Sequence, residues 1–364
     1  MPHAIAADDV VRTFDEAAGN AREPLLVTEP LVAFLDAAGL GSGELEVEPV
    51  GDGHSNVTYL VRRAGAAVVL RRPPRGPLPP SAHDVLREAR VLRALDGRGV
   101  RVPRVLAVGD DPAVIGAPFY VMEHVAGEVV TAEVPPALDA PAERRRIADE
   151  LVDALVELHA ADWRAAGLEG FGKPQGYLER QLRRFGGLWE HNRTRELPAV
   201  ESVGAWLAEH LPASPDATVV HGDYRLGNVM YAPDAPARLV AIFDWEMATI
   251  GDPLADLGYL CALWIQPGDP PGGLREHLGR VTRQEGFPTR AELVARYEER
   301  SGRAMGDMRW YMTLAIWKSI VFMEGNYKRA ISGASDDEYV RGFGQGVVEL
   351  AEQAEQLARG ERDL

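Results

Sequence analysis

The sequence predicts an α+β protein of two lobes, in which five antiparallel strands and one main helix are followed by a mostly helical C-terminal half. Two observations lead to this prediction. Short β-prone runs separated by Gly, Asp and Pro occupy residues 45–125. Beyond them, apolar residues recur every three or four positions, which is the period of an amphipathic helix. A chain of 364 residues is long enough for two domains or for one bilobed fold.

The N-terminal lobe is assigned to residues 45–125, where an antiparallel meander is expected. Its five predicted strands cover residues 45–50, 57–62, 67–71, 102–108 and 119–123. A helix is predicted over residues 81–95, with Ser81 as its N-cap, because apolar residues there follow helical spacing. Residues 1–44 are assigned to an N-terminal extension that ends in a short helix beginning at Thr28.

The C-terminal lobe is assigned to residues 126–364. Its helices are predicted from apolar periodicity at residues 142–161, 175–191, 199–210, 253–264, 289–300, 305–330 and 336–358. The loops that carry the polar motifs are expected to lie among short strands within this lobe.

Composition narrows the possible partners and the compartment. A net charge of −16 and a pI near 5.1 argue against a nucleic-acid partner, which usually requires a basic face. Cys261 is the single cysteine, so no internal disulfide is possible. With no secretory signal and no apolar run of the roughly 20 residues that span a bilayer, the chain is expected to be cytoplasmic and not membrane-bound. The apolar C-terminal helix leaves a homodimer possible.

The most informative motif places Asp223 and Asn228 five residues apart, with Asp244 at the end of the next apolar run. An Asp and an Asn at this spacing can occupy the two ends of one tight loop, the first toward an attacking hydroxyl and the second toward a metal. Mg²⁺ prefers such oxygen ligands and shares them with phosphates. The pattern therefore indicates phosphoryl transfer, although Asp223 alone could simply cap a turn.

Taken in order, these motifs resemble the aminoglycoside phosphotransferase family, within the protein-kinase-like fold, over roughly residues 45–330. The segments 53–59, 69–74 and 251–258 are similar to the branch whose phosphotransferase domains are fused to acyl-CoA dehydrogenases. The resemblance implies that ATP and Mg²⁺ are the cofactors. It also implies that Asp223 is the catalytic base and that Asn228 and Asp244 are the metal ligands.

In the N-terminal lobe, the resemblance implies that Arg71 pairs with Glu88 and contacts the nucleotide phosphates. Protein kinases usually have Lys at this position, but Arg can bridge a carboxylate and a phosphate through its planar fork. Arg72 is the competing candidate, and strand alternation points it to the opposite face. Arg71 and Arg72 could also simply lie at the solvated end of a strand.

Two further segments are candidates for nucleotide binding. Gly51, Gly53, Ser55 and Asn56 lie at a strand-to-strand turn where backbone N–H groups could approach the phosphates, although an ordinary hairpin also explains the glycines. The segment that includes Glu123 and Val125 resembles the hinge between kinase lobes, so their main-chain groups are expected to pair with adenine. Because recognition by main-chain groups leaves little trace in the sequence, ATP and GTP remain alternative phosphoryl donors.

The expected acceptor is a hydroxyl group of a small molecule. Glu246 replaces the glycine of the kinase Asp-Phe-Gly triplet, and no phosphorylatable activation segment follows, which makes a protein acceptor less favoured. The resembling branch suggests a hydroxyacyl thioester or hydroxy acid, with Arg183 and Arg184 available for an anionic carrier. An aminoglycoside antibiotic is the second choice. A nucleotide-binding pseudokinase that serves as an interaction module is the rival from another class.

Several other polar residues have two interpretations. Asp252 is expected to cap a helix, and Asp256 could brace the catalytic loop. Lys318 and Glu324 lie on the predicted helix 305–330, which lines the acceptor pocket in the resembling fold. A solvated helix face would explain them equally well.

Overall fold

A computed structural model describes residues 9–51, 56–76, 83–270, 273–333 and 338–361. The chain forms two compact units. The first contains Met1–Arg98, Val102–Ala126 and Phe243–Glu246, and the second contains the remaining segments. Within the described residues, no helix is both long and apolar enough to span a membrane.

The first unit is built on an antiparallel sheet of five strands, which in hydrogen-bonded order are Ser42–Val50, Val57–Ala64, Ala66–Arg72, Phe119–Glu123 and Val105–Gly109, and this confirms the predicted five-stranded antiparallel lobe. Its elements in chain order are β1 (Val10–Val11), α1 (Phe14–Ala17), β2 (Leu26–Val27), α2 (Thr28–Ala37), β3 (Ser42–Val50), β4 (Val57–Ala64), β5 (Ala66–Arg72), α3 (Val85–Leu95), β6 (Val105–Gly109), α4 (Pro112–Ile115) and β7 (Phe119–Glu123).

Strand alternation in β5 separates two neighbouring arginines. Val68 and Leu70 join the apolar core beneath α2, so Arg72 lies on their face and Arg71 on the other. Arg72 is buried and donates hydrogen bonds to the carbonyl oxygens of Pro73, Leu25 and Ile115. Because burial removes water from its guanidinium, the pKa of Arg72 falls to about 10.

The N-terminal segment contains a short strand pair that the sequence analysis did not predict. Strands β1 and β2 pair in parallel, and Arg75 forms an ion pair with Asp9 at 2.5 Å. Together with the hydrogen bond from Arg72 to Leu25, this ion pair connects residues 9–27 to the end of β5 and the residues that follow it. Helix α3 begins at Val85 with Asp84 as N-cap. The predicted cap, Ser81, lies outside the described residues.

The second unit is mostly helical, as predicted. Its elements in chain order are α5 (Pro141–Ala160), α6 (Tyr177–Asn192), α7 (Pro198–Glu209), β8 (Thr218–Val220), β9 (Val229–Tyr231), β10 (Leu239–Ile242), β11 (Thr249–Gly251), α8 (Leu254–Leu263), α9 (Gly273–Gly279), α10 (Arg290–Ser301), α11 (Met308–Ile331), α12 (Glu338–Arg341) and α13 (Phe343–Ala358). The single helix expected over 336–358 is divided at Gly342, within a glycine-rich stretch that has low helix propensity.

Helix α11 is the centre of the second unit and packs against α6, α7, α8 and α13. Its contact with α8 is close because Gly258 has no side chain. A Cβ at this position would lie 2.5 Å from the Tyr311 Cβ and 2.8 Å from its carbonyl carbon. Tyr311 is buried, and its Cβ and carbonyl atoms are part of helix α11. These atoms therefore cannot move aside for an added methyl group.

We therefore expect Gly258→Ala to lower the free energy of unfolding by about 1–3 kcal/mol, the usual cost of overpacking a core. The matched control is Gly186→Ala in α6, where no atom lies within 4 Å of an added Cβ. That control should be neutral or stabilising by about 0.5–1 kcal/mol, since Ala favours helix more than Gly. Chemical denaturation of both variants checks this, and equal stability would contradict the close α8–α11 packing.

Candidate functional site

The predicted catalytic loop runs from β8 to β9 in the second unit. Strand β8 pairs with β11, and β9 pairs with β10, so both ends of the loop are fixed by short ladders. A 3₁₀ turn, Leu226–Asn228, brings Asn228 back toward Asp223. The Asn228 side-chain amide donates to the Asp223 carbonyl oxygen at 2.8 Å and to Asp223 Oδ2 at 2.6 Å. The two residues thus face each other across one loop, as their spacing indicated.

The Asp223 carboxylate is held from two sides and still open to solvent. Asn228 binds Oδ2, and Arg225 Nε lies 3.6 Å from Oδ1. The Asp223 side chain retains 24% of its surface exposure. The sequence analysis did not identify Arg225, because an arginine in a short loop has no distinctive spacing. The arrangement leaves a fixed carboxylate that a substrate hydroxyl can reach.

Asp256, in the first turn of α8, holds the loop in place through hydrogen bonds. Its carboxylate accepts the backbone N–H groups of His221 at 2.7 Å and Gly222 at 2.8 Å. Gly222 has φ of +88°, and a Cβ there would lie 2.8 Å from the Met247 carbonyl oxygen. His221 Nδ1 in turn accepts the N–H of Asp223 at 3.2 Å. Asp256 therefore has the bracing position that the sequence suggested.

His159 on α5 completes this buried network. Its Nε2 lies 3.2 Å from Asp256 Oδ2, and its Nδ1 lies 2.7 Å from the Tyr297 hydroxyl. Burial lowers the pKa of His159, which outweighs the opposite effect of Asp256. Burial alone would raise the pKa of Asp256, but hydrogen bonds from His159 and the loop N–H groups bring it below its usual value. The network thus favours an ionised Asp256.

The first unit contains the expected ion pair between Arg71 and Glu88, with 2.8 Å between Arg71 Nε and Glu88 Oε2. Glu88 is buried and also accepts from Tyr120 Oη at 3.0 Å and from Asn56 Nδ2 at 2.7 Å. Burial raises the pKa of Glu88, and Arg71 opposes that rise. These contacts fix the Arg71 guanidinium on the face of the sheet opposite Arg72.

The turn between β3 and β4 is described only at its ends. Gly51 has φ of +82°, which favours glycine. Asn56 is buried, and its side chain binds Glu88 on α3, so it holds the ion pair in place. Gly53 and Ser55 lie outside the described residues.

Asp244 adjoins the Arg71 ion pair within the same unit. Arg71 Nη2 lies 2.7 Å from Asp244 Oδ1, and the Asp244 backbone has φ of +64°, which is unusual outside glycine. Carboxylate oxygens of Glu88, Asp244 and Glu246 lie within 4.8 Å of one another. Glu88 already accepts hydrogen bonds from Arg71, Tyr120 and Asn56, so it is less available to a cation than Asp244, whose Oδ1 accepts from Arg71.

The donor chemistry of the predicted metal ligands suits Mg²⁺. The Asn228 NH₂ group is directed to Asp223, which leaves its carbonyl oxygen for another partner. The O and N positions of this amide follow from the hydrogen-bond network. At Asp244, the hydrogen bond from Arg71 uses Oδ1 and leaves Oδ2. One amide and one carboxylate oxygen are hard ligands of the kind that Mg²⁺ selects.

The hinge candidates are positioned by β6 and β7. The Glu123 N–H donates to the Arg104 carbonyl oxygen at 2.9 Å, and its carboxylate accepts the Arg104 N–H at 3.0 Å. The Glu123 N–H is therefore not available to an adenine. The Glu123 carbonyl and the Val125 N–H remain the groups on which the prediction rests.

Two polar residues have structural roles. Asp252 accepts the N–H of Leu254 at 2.9 Å and the Tyr311 hydroxyl at 2.8 Å, so it binds the first residue of α8, although the N-cap position itself is Pro253. Glu324 is fully buried and binds Thr194 and Arg195, which rules it out as an exposed pocket residue.

Comparison with known proteins places this geometry in context. The chain matches the model of a phosphotransferase enzyme family over residues 46–311. It is 34% identical, over 321 residues, to acyl-CoA dehydrogenase family member 10 of Mus musculus. That alignment covers 88% of this chain and 30% of the relative, so the chain spans about a third of the relative's length.

Solved structures share the fold. A crystal structure from Ralstonia eutropha, provisionally named an aminoglycoside phosphotransferase, is 33% identical with a TM-score of 0.79, covering 91% of this chain and 98% of that one. A thermostable mutant of aminoglycoside phosphotransferase APH(4)-Ia, in ternary complex with AMP-PNP and hygromycin B, is 16% identical with a TM-score of 0.58. It covers 92% of this chain and all of that one, and at this identity it shows the fold alone.

The Asp256 brace yields a prediction about the loop. Asp256→Asn should lower the free energy of unfolding by about 2–3 kcal/mol, since one acceptor oxygen is replaced by an NH₂ group that faces N–H donors. Hydrogen exchange at the His221 and Gly222 amides should accelerate in this variant. The control is Glu299→Gln, an exposed position on α10. Unchanged protection of both amides in Asp256→Asn would show that the carboxylate does not hold the loop.

Proposed function

Because the chain belongs to the phosphotransferase enzyme family, which supports a small-molecule kinase, we propose that it transfers the γ-phosphoryl group of ATP to a hydroxyl of a small molecule with Mg²⁺. The observation that carries the proposal is the pairing of Asp223 with Asn228 at 2.6 Å on a loop braced by Asp256. Such a loop orients an acceptor and needs no covalent chemistry from the protein.

In the proposed reaction, Asp223 accepts the proton of the acceptor hydroxyl. The acceptor oxygen forms a bond to the γ-phosphorus while the bond from that phosphorus to the β,γ-bridging oxygen breaks, and ADP leaves with the electron pair. Asn228 and Arg225 keep the Asp223 carboxylate in one orientation throughout. Positioning of this kind, rather than a strong base, is what phosphoryl transfer requires.

Asn228 and Asp244 are the proposed ligands of Mg²⁺, which when bound would neutralise phosphate charge. Arg71 is proposed to contact the α- and β-phosphates. Its ion pair with Glu88 fixes the guanidinium, and its second arm holds Asp244. Glu123, Val125 and the turn that includes Gly51 remain the proposed nucleotide contacts.

Similarity to relatives named for acyl-CoA dehydrogenases supports a hydroxyacyl thioester or hydroxy acid as the acceptor. An aminoglycoside is the second candidate, supported by the structural neighbours named aminoglycoside phosphotransferases. The pseudokinase alternative is less favoured, because a protein without catalysis has no chemical need for Asp223, Asn228 and Asp244 together.

Asp223→Asn should fold and bind nucleotide but lose at least about 100-fold in kcat, since general-base positioning contributes roughly 10²–10⁴ to rate. Mg²⁺-dependent ADP release is followed in a coupled assay over a panel of hydroxy acids, hydroxyacyl thioesters and aminoglycosides. Asp234→Asn, at an exposed position beyond β9, is the matched control and should retain full activity.

Unchanged kcat in Asp223→Asn would refute the role of this carboxylate. Tight nucleotide binding by the wild-type protein, with no ADP release for any acceptor, would favour the interaction module instead.

A further inference from the structure

Lys318 lies in the second unit in a setting unusual for a cation. It projects from α11 so that its Nζ lies 4.9 Å from the centre of the Phe185 ring on α6. Within the described part of the chain, no carboxylate forms an ion pair with it and no acceptor forms a hydrogen bond with it. A lysine that packs on an aromatic face and has no counter-ion is poorly compensated for the water it has lost.

A second cation faces the same ring. The Arg184 guanidinium carbon lies 5.9 Å from the Phe185 ring centre, and among the described residues Arg184 has no ion-pair partner either. Two positive groups therefore lie near one aromatic ring, with Lys318 partly buried and Arg184 exposed. Like charges so arranged repel each other unless an anion lies between or beside them.

The charges around Lys318 connect this cluster to the catalytic loop. Burial lowers the pKa of Lys318 to about 8, and Arg184 adds to that effect. Asp256 and Asp223 act in the opposite direction, so both carboxylates are close enough to attract the ammonium group. The Lys318 ammonium group thus interacts electrostatically with the carboxylate proposed to receive the acceptor hydroxyl.

We propose that Lys318 and Arg184 bind an oxyanion of the acceptor, a carboxylate or a phosphate, while its hydroxyl group lies at Asp223. The inference rests on the proposed function and specifies the charge of its substrate. An oxyanion would supply the missing counter-charge and accept charge-assisted hydrogen bonds from both side chains. A polycationic acceptor would meet repulsion from both side chains.

The three lysines of the chain, Lys173, Lys318 and Lys328, make a direct test possible. Heteronuclear NMR of the lysine Cε and Nζ groups gives three signals, which Lys318→Gln and Lys328→Gln assign. The probes are 3-hydroxybutyrate and glycerol 3-phosphate, each compared with a neutral partner, methyl 3-hydroxybutyrate and glycerol. All are added to the full chain with Mg²⁺ and AMP-PNP.

At least one oxyanion should raise the pKa of Lys318 by about one unit, which corresponds to tenfold tighter binding to the protonated form. The neutral partners should leave it unchanged. A shift with 3-hydroxybutyrate indicates a carboxylate site, and a shift with glycerol 3-phosphate indicates a phosphate site. No shift with either oxyanion, or an equal shift with the neutral compounds, would overturn the inference.

Stability gives an independent readout. Because the folded pKa of about 8 lies below the ordinary value of 10.5, the charged lysine destabilises the fold fully below pH 8 and not at all above 10.5. Lys318→Gln should therefore be more stable than the wild-type protein at pH 7, with a difference that shrinks as pH rises. Lys328→Gln on the same helix is the matched control. A wild-type protein equally stable to Lys318→Gln at every pH would contradict an uncompensated cation.

This test separates the two proposals. The Asp223→Asn variant should lose turnover and keep the oxyanion response of Lys318. Absence of turnover in the wild-type protein together with a normal Lys318 response would reject phosphoryl transfer and retain the anion site. If the protein phosphorylates neutral and anionic acceptors equally well, and neither oxyanion changes the pKa of Lys318, the anion site is rejected and phosphoryl transfer is retained.

Discussion

The buried Asp256 carboxylate is the interaction on which the candidate site depends. It accepts two consecutive backbone N–H groups, those of His221 and Gly222, and it is itself held by His159. A buried charge is tolerated when hydrogen bonds satisfy its oxygens, and here they do. The loop is thereby fixed before any ligand binds, so Asp223 and Asn228 do not have to be ordered at the cost of binding energy.

Three basic side chains, those of Arg72, Arg71 and Lys318, differ in the groups that they contact. Arg72 is occupied by carbonyl oxygens and has a structural role, whereas Arg71 is fixed by a carboxylate network and remains oriented toward Asp244. Lys318 differs from both, because no carbonyl or carboxylate of the described residues forms a hydrogen bond or an ion pair with it, although Asp256 and Asp223 attract it from a distance. Because Lys318 has no direct partner of this kind, it is the cation best suited to bind an oxyanion of a ligand. Replacing Lys318 should therefore weaken binding of that ligand and raise the free energy of unfolding.

Local patterns and spacing predicted much of this molecule. The five-stranded sheet, most helices and the pairing of Asp223 with Asn228 follow from periodicity and from a five-residue offset within one loop. His159 was not predictable, because its partner Asp256 is 97 residues away and a single histidine on an apolar helix has no distinctive pattern. The role of Asn56 was missed for the same reason, since its partner Glu88 lies on another element 32 residues later.

The central claim is that this braced loop serves phosphoryl transfer to an alcohol. ³¹P NMR of the wild-type protein with Mg²⁺, ATP and a hydroxy acid or hydroxyacyl thioester measures this directly. The account predicts one new phosphomonoester resonance for each ADP formed, and none when Mg²⁺ is removed. Inorganic phosphate as the sole product across the acceptor panel, or ATP bound but unchanged, would contradict it.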